Sequence, residues 1–150
     1  MREILFRGKR LDNGKWVEGL PVRIYRNTYP TNRWEIVKGE NIDELNYDVP
    51  MIYESYEVDP DTIGQYTGLT DMNGKKIFEG DILECWPGLD DHCRGYVRYG
   101  VWNCSCCHGV FGWVLEWHGD LRAPDTSLVI GNIWDNKELL DGMTQEGPDR

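Results

Sequence analysis

The chain has no run of about 18 apolar residues, the length a membrane-crossing helix needs, so no helical span is expected. It also lacks a surplus of basic residues. Sixteen Lys and Arg face 26 Asp and Glu, for a formal net charge of −10. A general binder of nucleic-acid backbones clusters Lys and Arg, so that role is disfavoured. The local basic group of Arg2, Arg7, Lys9 and Arg10 reads better as a solvated N-terminal hairpin than as a phosphate grip. No Gly-rich phosphate loop occurs either: the stretch from Gly68 to Gly74 lacks the Lys-Ser/Thr ending and a following helix. Segments with a 3.6-residue apolar period are nearly missing, which leaves little room for helices. The opening, Met1-Arg2-Glu3-Ile4-Leu5-Phe6-Arg7, is too short and too charged for a secretory signal. A cytosolic protein with reduced thiols is expected, and five cysteines, an odd count, fit poorly with a complete disulfide framework.

What is present is aromatic and turn-rich. Seven Trp and eight Tyr within a 40% hydrophobic chain of 150 residues can fill a core, and both residue types favour strands. Two segments follow one plan. Phe6-Arg7-Gly8 leads to Asn13-Gly14-Lys15 and then Glu18-Gly19. Tyr66-Thr67-Gly68 leads to Asn73-Gly74-Lys75 and then, after one inserted residue, Glu79-Gly80. Asn-Gly between apolar-patterned arms is the strongest short-range signal for a β-hairpin. Gly80 permits a sharp bend before the strand that opens at Ile82, and the carboxylate of Asp81 is suited to capping that bend. The structural motif thus comprises Gly8, Asn13, Gly14, Gly68, Asn73, Gly74, Gly80 and Asp81.

Alternation marks further strands at 20–25, 52–58, 82–86, 96–102 and 111–117, and a short apolar one at 128–133. Asp59-Pro60-Asp61-Thr62 and residues 87–94 read as a turn and a loop. Residues 26–50 are irregular, with Trp34-Glu35-Ile36-Val37 as one arm of an edge hairpin. Trp134–Leu140 reads as a single helical turn, with Asp135 or Asn136 as N-cap. The expected fold is all-β: an SH3-like barrel or a small β-sandwich with an internally duplicated Asn-Gly hairpin and a short C-terminal helical turn. One domain over 1–140 is expected, divisible into an N-terminal lobe 1–58 and an SH3-like lobe 59–140. Residues 141–150 form a flexible tail.

The same residues carry a resemblance. Ile4, Phe6, Arg7, Gly8 and Trp16 resemble the opening of YopX-like proteins, small proteins encoded by bacteriophages and prophages. Val58, Gly64-Gln65-Tyr66-Thr67-Gly68-Leu69, Asp71, Asn73-Gly74-Lys75, Ile77 and Glu79-Gly80-Asp81-Ile82 are similar to that family's central signature. Val129-Ile130-Gly131-Asn132-Ile133-Trp134-Asp135-Asn136 with Leu139-Leu140 resembles its C-terminus. The resemblance covers about half the chain. It implies a mostly β fold, a phage or prophage origin and the bacterial host cytosol as location. It implies no reaction, so no catalytic residues are carried over.

The sharpest chemical candidate lies outside the matched motifs. His92-Cys93, Cys104-Ser105-Cys106-Cys107-His108 and His118 form a Cys/His cluster. Cys104 and Cys107 have the C-x-x-C spacing that aims two thiolates at one zinc, with Cys93 and His108 as further ligands. Cys85 and His92 are alternatives to them. The competing reading is a set of thiols packed as small hydrophobes around a loop. A cysteine nucleophile with His108 or His118 as base has the residue types but no established geometry, so an enzyme is disfavoured. Asp71-x-Asn73-Gly74 lacks the terminal Glu of a calcium loop.

The primary expectation is therefore a non-catalytic module that binds a protein or its own copies, because exposed Trp and Tyr dominate interface energetics. Two alternatives stand beside it. One is nucleic-acid binding through the N-terminal basic hairpin and an aromatic sheet with Tyr96, Tyr99, Trp102, Trp113 and Trp117, served by Arg94, Arg98 and Arg122. The other is a zinc-supported binding module.

Overall fold

A computed structural model of the protein describes residues 3–26, 29–38, 54–85, 93–102, 110–116, 119–120 and 126–141. These are almost entirely strand. The chain divides into two compact units, Met1–Gln65 and Tyr66–Arg150. No helix is long and apolar enough to cross a membrane among the described residues.

The first unit contains β1 (Phe6–Arg10), β2 (Trp16–Arg26), β3 (Tyr29–Lys38) and most of β4 (Glu54–Thr70). All pairings are antiparallel, and they close on themselves. β1 pairs with β2 through Gly8↔Val17 and also with β4 through Phe6↔Gln65. β2 pairs with β3 and β3 with β4, completing the circuit. Paired residues share a face, so Val17, Ile36 and Val58 meet as a buried cluster, with Trp34, Tyr56 and Ile63 packed against it. Two glycines permit this closeness. A Cβ on Gly8 would stand 3.0 Å from Val58, and one on Gly19 would overlap the Val37 carbonyl oxygen.

Asn13-Gly14 makes the expected β1–β2 connection. Gly14 has φ 69°, the Arg10 N–H donates to the Lys15 carbonyl at 2.9 Å, and the Asn13 carboxamide oxygen accepts from the Lys15 N–H at 2.9 Å. Residues 26–50 prove more regular than the sequence suggests where they are described. β3 begins at Tyr29 and runs through Pro30, which pairs with Tyr25. The turn expected at Asp59–Thr62 is instead an irregularity inside β4. Arg7 faces Gly64 and Lys9 faces Asp59, so Gly8 alone spans the residues between. The turn chemistry is nevertheless present: the Asp59 carboxylate accepts from the Asp61 N–H at 3.0 Å, and the Thr62 hydroxyl donates to the Asp59 carbonyl at 2.6 Å. The same hydroxyl accepts the Lys9 N–H at 2.8 Å, so the bulge is tied to β1 and the strand continues.

In the second unit, the end of β4 forms the Asn73-Gly74 hairpin with β5 (Lys76–Phe78). A five-stranded antiparallel sheet follows in the order β10-β6-β7-β8-β9. Its strands are β6 (Asp81–Cys85), β7 (Cys93–Trp102), β8 (Val110–Leu115), β9 (Gly119–Asp120) and β10 (Ser127–Asn132). Ile77, Leu83, Val97 and Leu115 form the buried core, with Leu69, Cys85, Trp113 and Val129 packed on it. Cys93 and Arg94, expected in a loop, already belong to β7. A 3-10 turn at Lys137–Leu140 follows β10. Asn136 is its N-cap residue but gives no side-chain cap, because its carboxamide oxygen accepts the Asn132 N–H at 3.3 Å instead.

The two Asn-Gly hairpins are related but not equivalent. Arg10 and Lys15 close the first; Asp71 and Lys75 close the second, one residue tighter. Both place glycine at positive φ after asparagine, Gly14 at 69° and Gly74 at 80°. The glycines further along diverge: Gly19 lies within β2 under the β3 backbone, whereas Gly80 has φ 88° in the turn between β5 and β6.

Candidate functional site

From Tyr66 onward the central signature residues lie in the second unit, in its β4–β5–β6 segment, and nearly all of these are occupied by the fold. Asp71 is only 5% exposed. Its Oδ1 accepts the N–H groups of Asn73 and Lys75, each at 2.9 Å, and its Oδ2 accepts the Val129 N–H at 3.0 Å. Burial alone would raise its pKa. The three backbone donors and the nearby Lys75 charge outweigh that, and the carboxyl is held below its ordinary value. One aspartate thus builds the hairpin turn and fastens it to β10. With both oxygens given to backbone amides, it is not arranged as a cation ligand.

The rest of the signature follows the same pattern. The Thr67 hydroxyl donates to the Ile77 carbonyl at 2.8 Å and accepts the Leu69 N–H at 3.1 Å, spanning Gly68 at φ 86°. The Tyr66 ring lies 5.6 Å from that of Phe78. Asp81 is buried and its carboxylate accepts the Phe78 N–H at 2.8 Å, closing the β5–β6 turn. The Gly80 N–H donates to the Val97 carbonyl, and the Gly80 carbonyl accepts from the Ile133 N–H. In the C-terminal motif, the Asn132 carboxamide oxygen accepts the N–H groups of Trp134 and Asp135 at 3.0 and 2.9 Å.

Glu79 is the exception. It sits between two residues whose backbones are pinned, yet among the described residues its carboxylate has no hydrogen bond or ion pair. Partial burial pushes its pKa up.

The arginines proposed from sequence to serve an aromatic sheet are engaged elsewhere. Arg94 pairs with Glu84 across the β6–β7 ladder at 3.6 Å, and Arg98 pairs with Glu116. Between the paired strands β7 and β8, Tyr99 stands directly opposite Trp113, with ring centroids 5.1 Å apart in an edge-to-face arrangement. Trp113 packs on the core, while Tyr99 remains 55% exposed. The side chains of Trp102, Trp117 and Arg122 lie outside the described residues.

The basic hairpin of the first unit is similarly committed. Arg7 is buried with its guanidinium 4.6 Å from the Trp16 ring centroid. Arg10 lies 4.0 Å over Tyr56 and donates to both carboxylate oxygens of Asp12. Arg23 lies 6.0 Å from Trp34. These stacked pairs were not anticipated from sequence. The signal lay in cross-strand register, which the residues show only once their strands are paired.

The proposed zinc ligands Cys104, Cys107 and His108 lie outside the described residues, as does the side chain of Cys93. The backbone places Cys93 opposite Cys85, and Cys85 packs on the core. Among the described residues no three His, Cys, Asp or Glu side chains converge as a metal site would require.

The family model described as YopX protein matches residues 5–141. Among solved structures, the chain is similar to the crystal structure of protein EF1440 from Enterococcus faecalis. The two share 25% identity over 94% of this chain and 100% of that one, with a TM-score of 0.50. A search of curated proteins gives no match.

Proposed function

The chain belongs to the YopX protein family, and on that premise we propose that it is a non-catalytic module that binds a protein partner or its own copies. One observation carries the reading: Tyr99 is exposed on Trp113 while Arg94 and Arg98 beside it are paired with carboxylates. An aromatic projecting from a sheet whose described arginines, Arg94 and Arg98, are already paired suits a protein interface, where Tyr and Trp contribute most of the energy. A single-stranded nucleic acid needs the aromatic together with a cationic groove. The occupied state of Asp71, Thr67 and Asp81 supports a non-catalytic role, because each polar group is already spent on backbone amides or carbonyls. The resemblance noted from sequence supports a phage or prophage gene acting in the host cytosol.

The test is a concentration series in light scattering, together with capture from host lysate, using the parent chain and Tyr99→Ser. Self-association or a specific captured protein, lost in Tyr99→Ser, is expected. A strict monomer that captures nothing would overturn the reading. So would salt-dependent retention of oligonucleotides by the parent, which would favour nucleic acid instead.

A further inference from the structure

The two hairpins place chemically identical Asn-Gly pairs in different hydrogen-bonding states. We infer that Asn73 is a site of spontaneous deamidation and isoaspartate formation, and that Asn13 is held against the same reaction.

The reaction needs an asparagine carboxamide free to turn toward the next backbone nitrogen, and a small residue after it. The Gly74 nitrogen attacks Cγ of Asn73, forming a new N–Cγ bond. The Cγ–Nδ2 bond breaks and ammonia leaves, carrying the proton lost from the Gly74 nitrogen. Water then opens the cyclic imide at either carbonyl, giving aspartate or isoaspartate. No oxidant or reductant is involved, and water is the only co-reactant.

The attacking nitrogens do not distinguish the sites. Gly14 donates its N–H to the Arg10 carbonyl at 3.0 Å, and Gly74 donates to the Asp71 carbonyl at 2.9 Å. The carboxamides do. Asn13 Oδ1 accepts the Lys15 N–H at 2.9 Å, which fixes its side chain in a local turn. In the second hairpin the equivalent Lys75 N–H is taken by Asp71 Oδ1, which also takes the Asn73 N–H. Among the described residues the exposed Asn73 carboxamide is thereby left without a partner. Nothing lies within 4 Å of the Cβ position at Gly74, whereas the Lys9 side chain lies 3.7 Å from that of Gly14. The buried aspartate that tightens the second turn therefore also releases its asparagine.

Peptide mapping by mass spectrometry after incubation of the whole protein at mildly alkaline pH tests the inference, with isoaspartate scored separately. Conversion at Asn73 is expected to run several-fold faster than at Asn13 in the folded protein, and the ratio is expected to fall toward one in denaturant. Equal native rates, or faster loss at Asn13, would overturn the inference. A ratio unchanged in denaturant would also overturn it, because local sequence rather than the fold would then set the difference. Asn73→Gln should remove the main acidic charge variant that accumulates on storage; its persistence counts against the assignment.

Discussion

The Trp134 indole occupies the space where a Cβ on Gly80 would stand, overlapping it at Cζ3 and Cη2. Gly80 also has φ 88°, so it answers two demands at once. Gly80→Ala is expected to destabilise by roughly 2–5 kcal/mol, combining left-handed backbone strain with overpacking. Gly74→Ala supplies the comparison: its φ is 80° but the surrounding space is open, so only the backbone part, about 1–2 kcal/mol, applies. Urea denaturation measures both. Equal losses would show that the indole contact contributes nothing, and a Gly80→Ala/Trp134→Ala cycle isolates the coupling.

Asp71 gives the second unit an acid-sensitive lock. Its pKa is lower folded than unfolded, so its contribution is fully present above the ordinary value of about 4 and is lost as pH falls through the depressed native value. Asp71→Asn should flatten the acid limb of the stability profile. Asp71→Ala should cost roughly 2–4 kcal/mol at neutral pH, because three backbone donors lose their acceptor. Denaturation midpoints from neutral pH down to pH ~3 would check both. An acid limb unchanged in Asp71→Asn would assign the acid sensitivity to other groups.

Glu79 should behave in the opposite sense. Burial raises its folded pKa, so the folded state holds its proton more tightly than the unfolded chain. Stability should then fall as pH rises from the unfolded value through the raised native one. Glu79→Gln is expected to stabilise the protein at neutral pH and to remove that slope. A destabilised Glu79→Gln would show that the ionised carboxylate is held favourably.

Tyr99→Ser should separate stability from association. The tyrosine is more than half exposed, and its edge-to-face contact with Trp113 represents only about 1 kcal/mol. A small change in denaturation midpoint with loss of partner capture is the expected pair of results. A large loss of stability would make Tyr99 a packing residue.

Hairpins were legible in the sequence because Asn-Gly chemistry is local: Gly14 and Gly74 take the positive φ that the dipeptide announces. The capping role of Asp81 was legible for the same reason. What stayed hidden depends on partners distant in sequence. Asp59-Pro60-Asp61-Thr62 has every local mark of a turn, but the Lys9 N–H on Thr62 keeps the strand going. Asp71-x-Asn73-Gly74 lacks the terminal Glu of a calcium loop, but the actual role of Asp71 is not legible locally because its third donor, Val129, arrives from β10. Trp134 gave no hint that its ring would settle against Gly80. The aromatic sheet reads from sequence as a nucleic-acid surface, and only the paired strands show Glu84 and Glu116 taking two of its arginines, Arg94 and Arg98.

The closed pairing of β1 through β4 carries a kinetic consequence. Three of its seams join strands adjacent in sequence and can form by short-range search. The fourth, Phe6 against Gln65 and Arg10 against Val58, must bring together nearly opposite ends of the first unit. Joining distant segments loses more chain entropy and is slow, so β1 docking on β4 is expected to be a late folding event. Until it occurs, β4 offers an unpaired edge to any neighbouring chain. The N-terminal strand therefore acts as the latch that ends this exposure, and weakening it should favour aggregation during refolding more than unfolding at equilibrium.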